Sequence, residues 1–168
     1  MEDVARRVTS PRVRALYEYW SAKRGDRRMP ARAEIDPGEI RALLPYLLLT
    51  DVHQHPLRVF FRLVGTAVVE AAGRDLTGFW LHEAEVNGGP ELWTQTYRRL
   101  VERREPVFGR ARATLPRGGV RVFEWVMLPL SSDGETVDKT VELEDWEALR
   151  RMSDAQLEQS EWSVEVYD

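Results

Sequence analysis

Residues 60–78, FFRLVGTAVVEAAGRDLTG, decide the fold. An apolar run rich in strand-forming residues ends at Gly65. Thr66 to Ala72 then reads as a short helix closed by Gly73, and Asp75 to Gly78 starts a new turn. A helix this short is unstable alone in water, so it is expected to be held by tertiary contacts.

Towards the N-terminus, Tyr46 to Val52 and Arg58 to Val64 read as strands joined by a hairpin turn at His53 to Pro56, hence an antiparallel pair. Before them a short helix is expected from Asp36-Pro37. Asp36 and Glu39 have capping-box spacing, Ile40, Leu43 and Leu44 form its apolar side, and Pro45 ends it. A first, longer helix has Ser10 as N-cap, Pro11 at its first position and Gly25 as its stop. Its apolar stripe is Val13, Leu16, Tyr17 and Trp20.

Towards the C-terminus, Gly88-Gly89-Pro90 precedes a helix with Trp93, Tyr97, Leu100 and Val101 on one face, stopped by Pro106. Val107 to Leu115 and Val120 to Leu130 form a hairpin around Pro116 to Gly119. In the latter strand Arg121, Phe123, Trp125 and Met127 share one face; Val122, Glu124, Val126 and Leu128 share the other. Both faces are largely apolar and both need cover. The aromatic first helix covers either its own sheet or that of a second subunit, and a homodimer through its stripe is the expectation.

Beyond a turn at Ser131 to Glu135, Thr140 to Leu143 reads as a short strand and Glu144 to Met152 as a helix. Ser153-Asp154 caps a further helix through Gln159, and Trp162 to Tyr167 alternates as a strand does. The apolar residues of this region are expected to fold onto the domain.

The 168 residues fit one domain with terminal extensions. With no cysteine, disulfides, thiolate metal sites and cysteinyl-flavin adducts are excluded. No apolar run is long enough to span a bilayer and no secretory leader is recognisable, so the expected location is cytoplasmic. Residues 1–32 carry nine Lys/Arg against four Asp/Glu, and residues 131–168 three against twelve. The basic start reads first as a solvated helix face; the opposite charges also allow the two ends to attract each other, within or between subunits. No aromatic–basic interleaving points to nucleic acid, so neither nucleic acid nor membrane is an expected partner.

The ordered segments LYEYWSAKRG (16–25), MPARAEIDPGEIRALLPYLLLTDV (29–52), FFRLVGTAVVEAAGRDLTG (60–78) and FEWVMLPLSSDGETVD (123–138) resemble a bacterial PAS domain family with an N-terminal LYxYW-type helix. The resemblance implies an α+β PAS fold: a five-stranded antiparallel sheet with helices on one face, here with an N-terminal helical extension (1–37), the PAS domain proper (38–143) and a helical C-terminal segment with a possible final strand (144–168). It implies a sensory or signalling role and names no ligand. KTVELEDWEALRRMSDAQ departs from the apolar final strand of the family, leaving Thr140 to Leu143 or Trp162 to Tyr167 to fill that slot.

Catalytic chemistry finds little support. His53 and His55 sit beside Pro56 with only Asp51 near, which reads as a solvated hairpin, and His82 reads as a surface histidine; no metal, haem or flavin is expected. Glu124 in its apolar strand is expected to pair with Arg62 or Arg112. The chain is read as non-enzymatic. It binds a small ligand, or a protein partner in signalling, with a candidate pocket of Phe61, Leu63, Val69, Leu76, Trp93, Tyr97, Phe123, Trp125 and Met127. The alternative is an interaction or dimerisation module with a filled core.

Overall fold

The computed structural model describes residues 7–86, 88–114, 120–147 and 164–167. The chain order is α1 (Pro11–Arg24), β1 (Leu47–Gln54), β2 (Leu57–Val64), α2 (Thr66–Ala72), α3 (Pro90–Arg103), β3 (Val107–Thr114), β4 (Val120–Leu130), β5 (Lys139–Asp145) and β6 (Val164–Val166). Short 3-10 turns occupy Arg32–Glu34, Leu44–Tyr46 and Leu81–Glu83. The strands form one antiparallel sheet in the order β2-β1-β5-β4-β3-β6.

Residues 60–78 fold as their sequence indicates. Gly65 precedes α2, and Gly73 closes it in the left-handed region at φ 76°. Gly65 also sits hard against the backbone of Pro45, where an added Cβ would fall on the carbonyl oxygen. The Asp75 side chain then accepts from the Thr77 N–H at 2.9 Å and fixes the turn.

Among the described residues the sheet has six strands where five were expected. β5 fills the central slot between β1 and β4, and Val164–Val166 adds a short strand on the free edge of β3. β5 also includes Glu144 and Asp145, which the sequence assigned to a helix; pairing with Trp125 and Glu124 of β4 holds them extended. Trp146 and Glu147 follow as a bend; residues 148–152 of that expected helix, the helix through Gln159 and the Pro116–Gly119 turn lie outside the described residues. The helix expected after Asp36 is a series of turns ending in the 3-10 turn Leu44–Tyr46. Gly38 and the imide of Pro45 break up the short run, and the Asp36 side chain caps the Gly38 N–H at 2.7 Å.

α1 begins with the Ser10 hydroxyl accepting from the Val13 N–H at 3.1 Å. It lies on the face of its own sheet that carries Val126 and Leu128. Val13, Leu16 and Trp20 are at most 1% exposed within the single chain. The Trp20 indole donates to the Pro129 carbonyl at 2.9 Å, and the partly buried Tyr17 packs edge-on against Phe108 at 5.2 Å. Of the stripe expected at a dimer interface, Val13, Leu16 and Trp20 are thus buried inside one chain, and Tyr17 is partly buried. An intrachain cover buries the apolar sheet face without the entropy cost of association. The opposite face carries α2 and α3, and the candidate site lies there.

Candidate functional site

A cavity of about 60 Å³ lies between the sheet and the two helices. Leu48, Phe61, Val64, Phe123 and Met127 line it from the strands; Val68 and Ala72 of α2 and Trp93 and Tyr97 of α3 line it from above. Arg74, Leu76, Leu81, Glu85 and Val86 contribute from the connecting segment, and Glu142, Glu144 and Trp146 complete the wall.

Of the pocket residues expected from sequence, Phe61, Leu76, Trp93, Tyr97, Phe123 and Met127 line this cavity. Leu63 does not. It is 43% exposed, because pairing of β1 with β2 slips between Leu49 and Thr50, so that Thr50 opposes Phe61 and Arg62 is skipped. This bulge reverses the alternation, and Val64 points inward instead. Val69 sits beside the helix position that faces the cavity, which Val68 holds, and packs on the core margin. Trp125 shares the face of Phe123 and Met127 but is used for packing. It meets Trp93 edge-on at 5.4 Å, and its ring covers Gly109, where a Cβ would collide with it.

The polar groups of the cavity come chiefly from β5, where residues 140, 142 and 144 share the inward face. Glu142 is buried, 5% exposed. Its Oε1 accepts from the Tyr97 hydroxyl at 2.5 Å, the Thr50 hydroxyl at 3.4 Å and the Thr140 hydroxyl. Glu144 keeps part of its surface open, and its Oε2 accepts from the Trp146 indole at 2.8 Å. The Trp146 ring stacks on Phe123 with centroids 4.2 Å apart. Burial pushes the Glu142 carboxyl up to about 7 against the pull of its three hydroxyl donors. Burial likewise pushes Glu144 up to about 7; the indole bond opposes this and the charge of Glu142 adds to it. Burial and the neighbouring Glu142 carry the Tyr97 hydroxyl well above its ordinary value. At the rim, Arg74 donates to the Glu85 carbonyl oxygen and meets its carboxylate at 3.2 Å.

A second polar centre lies on the α1 face. Glu124 is fully buried and accepts from the Thr9 N–H at 2.9 Å, the Ser10 N–H at 2.5 Å and the Tyr167 hydroxyl at 3.1 Å. Arg62, a partner expected for it, pairs with Asp51 instead. Asp145 accepts from the Ser10 hydroxyl at 2.6 Å and pairs with Arg12 at 3.1 Å, and Arg12 also reaches Glu147 at 3.1 Å. The basic N-terminal and acidic C-terminal stretches thus meet within one chain. These groups anchor the start of α1.

His53 lies on the exposed end of β1 against the Trp80 ring, 5.4 Å away, and the exposed His82 is 3.8 Å from Glu83. Among the described residues no three His, Asp or Glu side chains converge as a metal set. No helix among them is long and apolar enough to cross a membrane.

A family model described as PAS domain matches residues 8–143, and the chain belongs to the PAS domain family. Solved structures share the fold at low identity. VqmA bound to DPO has a TM-score of 0.51 at 15% identity, over 66% of this chain and 57% of that one. The PAS domain of a Colwellia psychrerythraea protein has a TM-score of 0.50 at 17% identity, over 68% of this chain and all of that one (100%). An RNA-binding light-oxygen-voltage receptor has a TM-score of 0.53 at 18% identity, over 77% of this chain and 39% of that one. The chain therefore spans little more than half of VqmA and well under half of the receptor. No curated protein matches it in sequence.

Proposed function

We propose that this PAS domain is a non-enzymatic cytoplasmic sensor that takes a small molecule into the cavity under α2 and α3 and signals its occupancy to a protein partner by contact. The cavity carries this reading: it is apolar on most sides, has a polar wall from one strand, and is roofed by a helix too short to be stable unless packed. A ligand that binds one arrangement of that roof better than another shifts its population. VqmA, of the same fold, is described bound to DPO, as a dimer, and in a complex with ligand and DNA. For this chain nucleic acid is not the proposed partner. Arg12, Lys23 and Arg27 of its basic N-terminal stretch are engaged by Asp145 and Glu147, by Glu39 and by Glu34.

The stacked Phe123–Trp146 and crossed Trp93–Trp125 pairs favour a second reading, an interaction module with a filled core. Native mass spectrometry of the purified protein and of Ala72→Phe, which fills the cavity roof, separates them. The sensor reading predicts a small-molecule adduct that the variant loses. A folded wild type that never carries an adduct supports the filled-core module. The same spectra give the subunit count.

A further inference from the structure

We propose that the cavity selects a small organic cation, an amine or a protonated nitrogen heterocycle with a compact apolar body, and that Glu142 and Glu144 hold its charged nitrogen. The inference rests on the reading of the cavity as a ligand site and names the ligand class.

Glu142 and Glu144, two residues apart on the inward face of one strand, wall a largely apolar cavity whose other charged lining residues, Arg74 and Glu85, pair with each other. One oxygen of each carboxylate lacks a donor among the described residues. Glu142 directs Oε1 to all three of its hydroxyl donors, and Oε2 receives none among the described residues. Glu144 uses Oε2 for the Trp146 indole, and Oε1 receives none. No ion pair among the described residues reaches either group; the cation at the rim, Arg74, is held by Glu85. Burying acids beside apolar walls without a cation is costly, and the cost falls when a ligand brings one.

The rest of the cavity suits such a ligand. Trp93, Phe123 and Trp146 line it with aromatic rings, whose faces attract cations. An anion would meet two acids, and a neutral apolar ligand would leave two oxygens unpaired. At roughly 10–15 Å³ per water-sized group, the volume of about 60 Å³ accepts a ligand of about half a dozen non-hydrogen atoms.

Both acids are held near neutrality by burial, so a cation should displace protons when it binds at pH 7. The charged and titratable groups that face them are Tyr97 from α3 and Arg74 and Glu85 from the rim, with no histidine among the lining residues.

The test uses matched probes of one shape: cyclopentylamine, cyclopentanol and cyclopentanecarboxylate, titrated into the full chain by calorimetry and ligand-observed NMR. The amine is expected to bind at least about tenfold tighter than the alcohol, and the carboxylate weakest. Amine enthalpies in phosphate and Tris should differ by the heat of the released protons. Glu144→Gln should reduce both the amine-over-alcohol preference and the proton release, and Glu142→Gln should do the same if it folds. Equal or tighter binding of the alcohol or carboxylate, no amine binding at 50 mM (about the weakest useful affinity), or selectivity unchanged in Glu144→Gln overturns the proposal. An anionic or neutral molecule co-purifying in the native spectra would also overturn it while leaving the sensor reading intact.

Discussion

The hydroxyl of Tyr97 on α3 donates to Oε1 of Glu142 on β5 at 2.5 Å, deep beneath the helix. This bond ties the roof of the cavity to its polar wall. Tyr97→Phe keeps the ring packing and removes the donor, leaving Glu142 with Thr50 and Thr140. The expected cost is about 1–3 kcal/mol, read from urea denaturation. A loss under about 0.5 kcal/mol would mean that the bond contributes little.

The buried acids make stability depend on pH with a defined sign. Glu142 is raised from 4.5 to about 7, so between these values the unfolded chain binds fewer protons than the folded one. Its favourable contribution is complete below pH 4.5 and is lost as pH rises to about 7. The full difference is of the order of 3 kcal/mol. Glu142→Gln should therefore gain stability relative to wild type on going from pH 4.5 to 8, and urea midpoints across that range check it. A constant difference would show that the acid is not buried in solution.

Glu124 is the acceptor on which the chain entering α1 closes. Glu124→Ala leaves the Thr9 and Ser10 N–H groups and the Tyr167 hydroxyl without it. The expected loss is about 3–5 kcal/mol of unfolding free energy. Amide exchange of residues 8–12 should accelerate in parallel.

The covering role of α1 predicts that its substitution destabilises a single chain. Leu16→Ala should lower unfolding free energy by about 2–5 kcal/mol. Its effect should be the same at micromolar and at tenfold higher protein concentration. A concentration-dependent midpoint that the substitution abolishes would place the stripe between subunits.

Gly65→Ala should be destabilising, since the new Cβ falls on the Pro45 carbonyl and alanine is a poorer N-cap than glycine. A melting temperature equal to that of wild type would contradict the close approach.

Much of this fold is legible in the chain. Punctuation by Gly65, Gly73, Pro90 and Pro106 delimits α2 and α3, and alternation in 120–130 separates the Phe123–Met127 face from the Glu124–Leu128 face. What the sequence hid has physical causes. The bulge opposite Leu49 and Thr50 reverses the inward set of β2, and no local residue pattern announces it, so Leu63 was placed where Val64 stands. The acids of KTVELED look like a solvated face, because alternating Glu is usually exposed. Only the central position of β5 beneath α3 buries Glu142 and brings Glu144 to the cavity. Trp146 falls within the helix expected over Glu144 to Met152; extension of β5 to Asp145 instead carries it onto Phe123.

The central claim is that the space beneath α2 and α3 is a ligand site, and a crystal structure of the protein as purified tests it most directly. The account predicts density for a non-protein molecule bounded by Trp93, Phe123, Met127, Glu142 and Glu144. A cavity closed by the tryptophan side chains, or holding only water in protein that carries no adduct, would contradict it.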